Sequence, residues 1–292
     1  MGKEFIIILL LVVRMKILLL GGRGYLGSAV SNELKKHDIF TFDRHPGDKS
    51  HIKGSILSQN DLNKAVKGKD VVINFVGLSP LKKPISTSYL KVHVDAVKKI
   101  ISACKKNNVK RVIHISALGA DSYVGSEYMR TKGIAEDLLI KSKLKINILR
   151  PSLIYDCDNE FIVMLKKYSK FLGFPKIPAK MQPVYRKDVA KIISLCINGK
   201  VKEKKLEVTG YDILSVYLIA KKVYWKKRFP CFPVPFFLFK LGLRIAIALN
   251  LSDMSKEQIV NMSISNTSLR NESGKYMQLK RFDDWLSEVD CL

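Results

Sequence analysis

The chain has 292 residues, which is long enough to bury the core of one large α/β unit, and its 47% apolar content is that of a folded protein. Its net charge of +25 favours anionic partners, but the lysines lack the aromatic interleaving of nucleic-acid modules, so no nucleic-acid partner is predicted. The five cysteines are scattered without zinc-binding spacing, which predicts free thiols, a cytoplasmic location and no metal site.

The N-terminal segment, residues 1–14, has an uncertain status. Residues 5–13 form an apolar run between Lys3 and Arg14, just ahead of a second methionine, Met15. Such a run is too short to span a bilayer, and it lacks the small-residue cleavage site of a signal peptide. Either the segment precedes the natural start at Met15, or it is a short tail that touches a membrane.

The first half of the chain alternates short apolar runs with segments of helical periodicity, which is the pattern of a parallel sheet with crossover helices. Strands are predicted over residues 16–20, 39–43, 71–76, 111–115 and 145–149, and helices over residues 25–36, 61–66, 86–107 and 126–141. This succession predicts an α/β fold with a Rossmann-type doubly wound parallel sheet in residues 15–155.

The alternation fades after Arg150-Pro151. Residues 156–292 are therefore predicted to form a smaller, mainly helical region that covers the sheet edge, holds the substrate pocket and belongs to the same globular unit. Residues 229–239 are rich in Phe and Pro and are followed by Lys240 and Arg244. Two interpretations stay open, a helix packed on the domain with extended cationic side chains and a contact with a membrane interface.

The segment Gly21-Gly22-Arg23-Gly24-Tyr25-Leu26-Gly27 follows the first predicted strand and opens the first predicted helix. Glycines alone would also suit a structural turn. In this context, however, the backbone can approach a pyrophosphate while the helix N-terminus directs amide donors at it. The sequence thus predicts a binding site for NAD(H) or NADP(H), formed by Gly21, Arg23, Gly24, Tyr25, Leu26 and Gly27.

The second predicted strand ends at Asp43, where an acidic side chain could accept hydrogen bonds from the adenine ribose of NAD. Arg44 adjoins it and Arg23 lies in the glycine loop, and two guanidinium groups would instead suit the 2′-phosphate of NADP. Both cofactors remain open, with a slight preference for NADP(H).

Tyr128 and Lys132 lie four residues apart and so share one face of a predicted helix. A phenol can exchange a proton with a carbonyl oxygen, while a nearby cation lowers the phenol pKa and binds the nicotinamide ribose. This spacing is common in surface pairs, but its place after a Rossmann half favours a cofactor site.

Several motifs in order resemble the atypical short-chain dehydrogenase/reductases, and most closely the NAD(P)-binding accessory subunit of respiratory complex I and its relatives. They are the glycine loop, Val72-Ile-Asn-Phe-Val-Gly77, Val92-His-Val94, Arg111-Val-Ile-His-Ile-Ser-Ala-Leu-Gly-Ala120, Tyr128-Met-Arg-Thr-Lys132, Leu149-Arg-Pro-Ser152, Gln182-Pro-Val-Tyr185 and Asp188-Val-Ala190. The resemblance runs from about residue 16 to the C-terminus and is strongest up to Ala190.

The resemblance implies a role for each matching position. Gly21, Gly24 and Gly27 would bind the pyrophosphate, Asp43 and Arg44 the adenosine ribose, Val76 and Gly77 the nucleotide, and Tyr128 and Lys132 the nicotinamide end. Ser55, followed by Ile56, stands where the family often has an adenine-contacting acid, so backbone groups would hold the adenine.

A second departure from the family affects catalysis. Leu118 stands where active epimerases and dehydratases carry Ser or Thr, which leaves Ser116 or Ser122 as the substitute hydrogen-bond donor.

Three functions follow. The leading one is an NAD(P)-dependent oxidoreductase with Tyr128, Lys132 and Ser116 as catalytic residues and an unknown small-molecule substrate. The second is a non-catalytic, cofactor-holding subunit of a respiratory NADH dehydrogenase complex, peripheral to the cytoplasmic face of a membrane. The third is a nucleotide-sugar epimerase or dehydratase.

Overall fold

A computed structural model describes residues 14–80, 88–124, 126–168, 173–226, 228, 230–248 and 264–290. The first half of the chain alternates strands and helices: β1 (Lys16–Leu20), α1 (Tyr25–Glu33), β2 (Asp38–Asp43), β3 (His51–Lys53), α2 (Gln59–Val66), β4 (Val71–Asn74), α3 (Ala96–Lys106), β5 (Arg111–Ile115), α4 (Glu127–Lys141) and β6 (Ile146–Pro151). A π-helical turn, Leu90–Asp95, leads directly into α3.

The second half has shorter strands and more helices. In order they are β7 (Ile154–Tyr155), α5 (Glu160–Tyr168), β8 (Gly173–Pro175), β9 (Lys180–Met181), β10 (Val184–Tyr185), α6 (Arg186–Ile197), β11 (Lys205–Val208), β12 (Leu214–Ser215), α7 (Val216–Lys226), β13 (Phe232–Val234), α8 (Phe236–Ala248), a 3₁₀ helix (Glu272–Lys275) and α9 (Phe282–Glu288).

The main sheet has seven strands in the order β11-β6-β5-β4-β1-β2-β3. Every neighbouring pair is parallel. The chain moves outward from β1 in one direction as far as β3 and then in the other from β4, so the order reverses between β1 and β4 and leaves a crevice at their carboxyl ends. The prediction of a Rossmann-type doubly wound sheet is confirmed.

Strand β1 shows why both faces of the sheet are covered. Successive side chains of a strand point to opposite faces. Accordingly, Ile17 and Leu19 pack into a core with α1 and α6, whereas Leu18 and Leu20 pack into a second core with α2, α3 and α4. All four side chains are fully buried, which explains the continuous apolar run in the sequence.

The structure differs from the predicted elements at a few boundaries. Strand β3 was not predicted, because three residues are too few to show a period. The predicted helix over residues 86–107 continues to Lys106 but contains the π-helical turn Leu90–Asp95, and its first two residues lie outside the described ranges. Two elements from the second half of the chain belong to the main sheet layer. Strand β11 pairs with β6 at the edge of the main sheet, and helix α6 packs on one face of it.

The remaining elements build a third core beside the sheet. Its centre is a cluster of aromatic rings in which Tyr155 contacts Phe282 and Trp285, each at 5.0 Å between ring centroids. The three short two-stranded sheets, β7 with β10, β8 with β13 and β9 with β12, lie in this region. The core therefore joins residues just after β6 to the C-terminal helix.

The cysteines depart from the sequence prediction at one position. Cys104, Cys196 and Cys231 are free thiols, whereas Cys157 is disulfide-bonded. The expectation of free thiols throughout the chain is therefore wrong at Cys157, because spacing along a sequence does not reveal which cysteines a fold brings together.

Two negative findings hold for the described residues alone. No helix among them is both long and apolar enough to cross a membrane. Within the same ranges, no three His, Cys, Asp or Glu side chains are grouped so as to hold a metal ion. Residues 1–13, which contain the apolar N-terminal run, lie outside the described part of the chain.

Candidate functional site

The glycine loop connects β1 to α1 at the carboxyl edge of the sheet. Gly21 adopts a positive φ of +76°, which glycine tolerates and other residues rarely adopt. Its amide donates a hydrogen bond of 2.9 Å to the carbonyl oxygen of Phe42 in β2. A Cβ on Gly27 would lie only 2.6 Å from the Gly21 carbonyl oxygen and from the Gly22 Cα. The first turn of α1 therefore packs against the loop backbone as only glycine permits.

The same loop exposes the N-terminus of α1. Gly24 is the N-cap residue and offers no side chain to cap the helix. The amides of a helical first turn have no intrahelical acceptor, and the helix dipole makes them a site for anions. A glycine cradle that lets a ligand approach the backbone, together with these amides, fits the pyrophosphate of a dinucleotide.

Asp43 and Arg23 lie beside each other at the rim of this cradle. The Arg23 Nη1 is 4.0 Å from the Asp43 Oδ1 and donates a hydrogen bond of 2.6 Å to the carbonyl oxygen of Pro46. The same Asp43 oxygen accepts a hydrogen bond of 3.0 Å from the His45 amide. Arg44 follows Asp43 and is exposed. The residues predicted at the adenine ribose thus include an acid, Asp43, and a cation, Arg23, that lie 4.0 Å apart.

Ser55 stands in the loop between β3 and α2. Its amide donates a hydrogen bond of 3.0 Å to the Asp61 carboxylate, and its hydroxyl oxygen accepts one of 3.2 Å from the Leu57 amide. Both groups therefore organise the start of α2. Contact of Ser55 and Ile56 with an adenine ring stays a prediction.

Val76 and Gly77 follow β4, at the crevice where the strand order reverses. A Cβ on Gly21 would lie 3.0 Å from the Val76 Cγ2, and a Cβ on Gly77 would lie 3.0 Å from the Lys132 Nζ. The segment after β4 is thus in contact with the glycine loop at one end and with α4 at the other. The site residues predicted near the nucleotide and near the nicotinamide are adjacent in space.

Tyr128 is held by two aromatic rings from the turn before α3. Its ring meets those of Tyr89 and His93 edge to face, at centroid distances of 5.7 Å and 5.6 Å. His93 is itself anchored, because its Nε2 accepts a hydrogen bond from the Leu78 amide (3.1 Å) and its Nδ1 lies 2.9 Å from the Thr131 hydroxyl. These contacts orient the phenol on α4.

Burial sets the protonation states around Tyr128. It raises the pKa of the Tyr128 phenol, so the group is protonated at neutral pH. Burial lowers the pKa of His93 to about 2, with the Lys132 charge adding to the effect, and that of His114 to about 3. Both histidines are therefore neutral and structural, although the Nε2 of His114 has no hydrogen-bond partner among the described atoms.

Lys132 is buried one helical turn beyond Tyr128. Its Nζ donates a hydrogen bond of 3.0 Å to the carbonyl oxygen of Ile115 at the end of β5. Desolvation lowers the pKa of Lys132 to about 8, against an opposing effect of the Glu136 charge. The amine therefore lies at the sheet edge beside Gly77, and its contact with a cofactor stays a prediction.

Ser116 is hydrogen-bonded to a different group. Its hydroxyl donates a bond of 2.5 Å to Glu136, a fully buried carboxylate that also binds the Arg150 guanidinium and the Lys205 amine. Leu118, two residues after Ser116, is buried and has no polar side chain. A catalytic role for Ser116 stays a prediction, since its proton is bonded to Glu136.

A cavity of about 380 Å³ opens beside these residues, a size typical of small-molecule sites. Tyr25 of the glycine loop and Tyr128 both line it, so it adjoins the predicted cofactor cradle. Its wall is largely apolar and comes from the second half of the chain, with Leu153, Ile154, Phe161, Met164, Met181, Val216 and Ile264. Asn159, Asp158 and Glu160 add polar groups.

Comparison with known proteins agrees with this geometry. The family model described as NAD(P)H-binding matches residues 21–200. The chain belongs to this family. The prediction of NAD(P) binding and the resemblance stated from the motifs are confirmed, while the preference for NADP(H) stays a prediction.

One curated relative of this NAD(P)H-binding chain is the NADH dehydrogenase (ubiquinone) 1 alpha subcomplex subunit 9 of Mus musculus, 26% identical over 200 residues, or 66% of this chain and 52% of that protein. The chain spans 46–63% of the length of the four relatives that carry this name.

Solved structures share the fold. A nucleoside-diphosphate-sugar epimerase from Staphylococcus aureus has a TM-score of 0.73 at 16% identity, with 94% of this chain and 100% of that chain covered. The UDP-glucose 4-epimerase of Thermus thermophilus, in complex with NAD, has a TM-score of 0.63 at 16% identity, with 76% and 86% covered. At such identities the likeness is one of fold alone.

Sequence reasoning missed the residues that position Tyr128 and the wall of the cavity. Tyr89 and His93 are four residues apart in a predicted helix, a spacing that could have indicated a shared face. The contribution of α5 to the cavity wall had no local signal in the sequence, because it depends on how the second half of the chain folds over the sheet.

Proposed function

We propose that this protein is an NAD(P)H-dependent oxidoreductase that acts on an apolar carbonyl or alcohol substrate. The observation that carries the proposal is that the Tyr128 phenol lines an apolar cavity beside the glycine cradle, with Lys132 buried one turn further along α4. A bound NAD(P)H would supply the hydride for the carbonyl carbon.

The side chains would divide the remaining work. Tyr128 would donate its proton to the carbonyl oxygen during reduction and recover it from solvent, which suits a phenol that burial keeps protonated. Lys132 would hydrogen-bond the nicotinamide ribose and stabilise the phenolate formed in the transfer. Gly21, Gly24 and Gly27 would hold the pyrophosphate, and Val76 and Gly77 would line the nucleotide.

Apolar substrates are favoured over nucleotide sugars by the lining of the cavity. Within the part of the chain that the structure describes, no Lys or Arg lines it, whereas Asp158 and Glu160 do. A diphosphate is bound most strongly by cationic donors, and Arg186, which pairs with Asp158, is not among the residues that line the cavity. The epimerase alternative is therefore the weakest of the three.

We also infer a slight preference for NADP(H). Arg23 lies at the rim of the cradle near Asp43, and the adjacent Arg44 is exposed. Two guanidinium groups would bind a 2′-phosphate, provided that Asp43 stays paired with them.

Substitution of the phenol tests the activity. The wild-type chain, Tyr128→Phe and the control Tyr123→Phe, whose side chain is exposed, would each be titrated with NADPH and NADH and assayed with aliphatic and aromatic aldehydes and ketones. Tyr128→Phe should bind the cofactor within about twofold of wild type but lose at least about a hundredfold in kcat. Wild-type protein that binds neither cofactor would contradict the proposal.

A second candidate is a cofactor-holding subunit of a respiratory NADH dehydrogenase complex. Leu118 and the hydrogen bond from Ser116 to Glu136 leave fewer donors for a substrate carbonyl, and the mouse relative carries the name of such a subunit. If wild type and Tyr128→Phe bind the dinucleotide equally and neither reduces any carbonyl, this second function replaces the first.

A further inference from the structure

Helix α8 presents large apolar side chains to solvent. Phe237 is 66% exposed, Leu241 55% and Ile245 52%. They follow one another at intervals of four residues and so lie along one side of the helix. Soluble monomers rarely expose a row of this kind without a binding role.

The opposite side of α8 already packs on the protein. Leu243 is buried, and Phe236 packs against the aromatic core around Tyr155 and stacks on Phe239 with ring centroids 6.2 Å apart. The helix therefore contacts the protein through one apolar side and leaves a second one exposed.

The elements just before α8 expose apolar groups as well. Phe232 in β13 is 61% exposed, and Trp225 near the end of α7 is 75% exposed. Aromatic side chains of this kind prefer the boundary between water and a lipid bilayer.

The charge of this part of the chain has a single sign. Residues 213–252 contain no Asp or Glu but carry seven cations, Lys221, Lys222, Lys226, Lys227, Arg228, Lys240 and Arg244. Of these, Lys222 pairs with Asp283 from α9. Lys240 and Arg244 are exposed on α8 itself, one turn from Phe237 and Leu241, where their long side chains can reach a charged surface.

Together these features match an anionic bilayer surface. Within the described residues, α8 covers 13 positions, about 20 Å at the rise of an α-helix, and no helix of that part of the chain is long and apolar enough to cross a membrane. Apolar groups at one side with flanking cations are what an interfacial helix requires. We propose that α8 docks this protein on the surface of an anionic lipid bilayer, with Phe237, Leu241 and Ile245 inserted among the headgroups.

Vesicle sedimentation tests the proposal with the full chain. Wild-type protein should bind vesicles of phosphatidylcholine with about 30% phosphatidylglycerol at least about tenfold better than pure phosphatidylcholine vesicles, and less well as salt rises, because salt screens the attraction. The double variant Phe237→Ser/Leu241→Ser should lose at least about tenfold of this binding, and so should Lys240→Gln/Arg244→Gln.

Matched controls test whether vesicle binding depends on α8 and not on exposed apolar or cationic side chains elsewhere. Leu269→Ser removes a fully exposed apolar side chain elsewhere, and Lys35→Gln/Lys36→Gln removes two exposed cations near the end of α1; both should bind as wild type. A chain that starts at Met15 should also bind as wild type. Loss of binding in that chain, no vesicle binding by wild type, or equal binding to neutral vesicles would overturn the proposal, and a protein partner would then be the occupant of this surface.

Discussion

The Nζ of Lys132 lies 3.0 Å from the carbonyl oxygen of Ile115 and donates a hydrogen bond to it. This bond holds a cationic group in a buried position, and desolvation lowers the pKa of Lys132 from 10.5 to about 8. The protein therefore retains at neutral pH a charge that burial disfavours, and perturbed groups of this kind are concentrated at functional sites.

The first prediction concerns this charge. Replacement by methionine, Lys132→Met, should raise the free energy of unfolding at pH 7 by about 2 kcal/mol, because the penalty for charging the buried amine exceeds the lost hydrogen bond. Between pH 8 and pH 10.5 the unfolded chain binds a proton that the native state has released. The free energy of unfolding of the wild type therefore rises with pH relative to that of the variant.

Urea denaturation of both proteins at pH 7 and pH 10 measures this effect. The control variant is Lys141→Met, which removes an exposed charge from the same helix instead of a buried one. A stability difference between Lys132→Met and wild type that is the same at both pH values would contradict the lowered pKa.

The second prediction concerns the glycine loop. Gly27→Ala places a Cβ 2.6 Å from backbone atoms of Gly21 and Gly22, so the first turn of α1 must move away from the loop. We expect a loss of about 1–3 kcal/mol in stability and loss of NAD(P)H binding in fluorescence titrations. Gly242→Ala in α8, where nothing lies within 4 Å of the added Cβ, should bind the cofactor as wild type does.

The third prediction tests cofactor choice. If Arg23 contacts a 2′-phosphate, Arg23→Ser should weaken NADPH binding by at least about tenfold and leave NADH binding within about twofold, because a charge-assisted hydrogen bond is worth about 1.5–3 kcal/mol. The exposed Arg270 provides the control variant Arg270→Ser. Equal weakening of both cofactors by Arg23→Ser would assign this side chain to loop structure, through its hydrogen bond to Pro46.

The sheet could be predicted where a local pattern dictates the structure. Strand β1 is buried on both faces and so appears as an unbroken apolar run, and Gly27 packs against Gly21 and Gly22, only a few residues before it. Strand β11, by contrast, has only four residues, Lys205–Val208, and joins the sheet through pairing with β6. Such a pairing depends on distant residues and has no signal in its own segment.

The candidate site divides in the same way. Tyr128 and Lys132 could be predicted because helical geometry places residues four apart on one face. The bond between Ser116 and Glu136 could not, because it joins the end of a strand to the middle of a helix. A sequence shows that Ser116 follows β5 but not which acceptor its hydroxyl meets.

The fourth prediction addresses that bond. Glu136 is fully buried and holds Ser116, Arg150 and Lys205 at once, so each donor helps to compensate the cost of its burial. Ser116→Ala should therefore lower the free energy of unfolding by about 2 kcal/mol, as expected for a hydrogen bond to a charged group, and should leave kcat within about threefold of wild type.

Thermal denaturation and steady-state kinetics on the same preparation measure both effects, with Ser287→Ala, whose hydroxyl bonds only locally within α9, as the control. Because the Ser116 proton is bonded to Glu136 in the absence of substrate, a catalytic role would require it to change partners during the reaction. A hundredfold fall in kcat with unchanged stability would demonstrate that change and would restore Ser116 to the set of catalytic residues beside Tyr128.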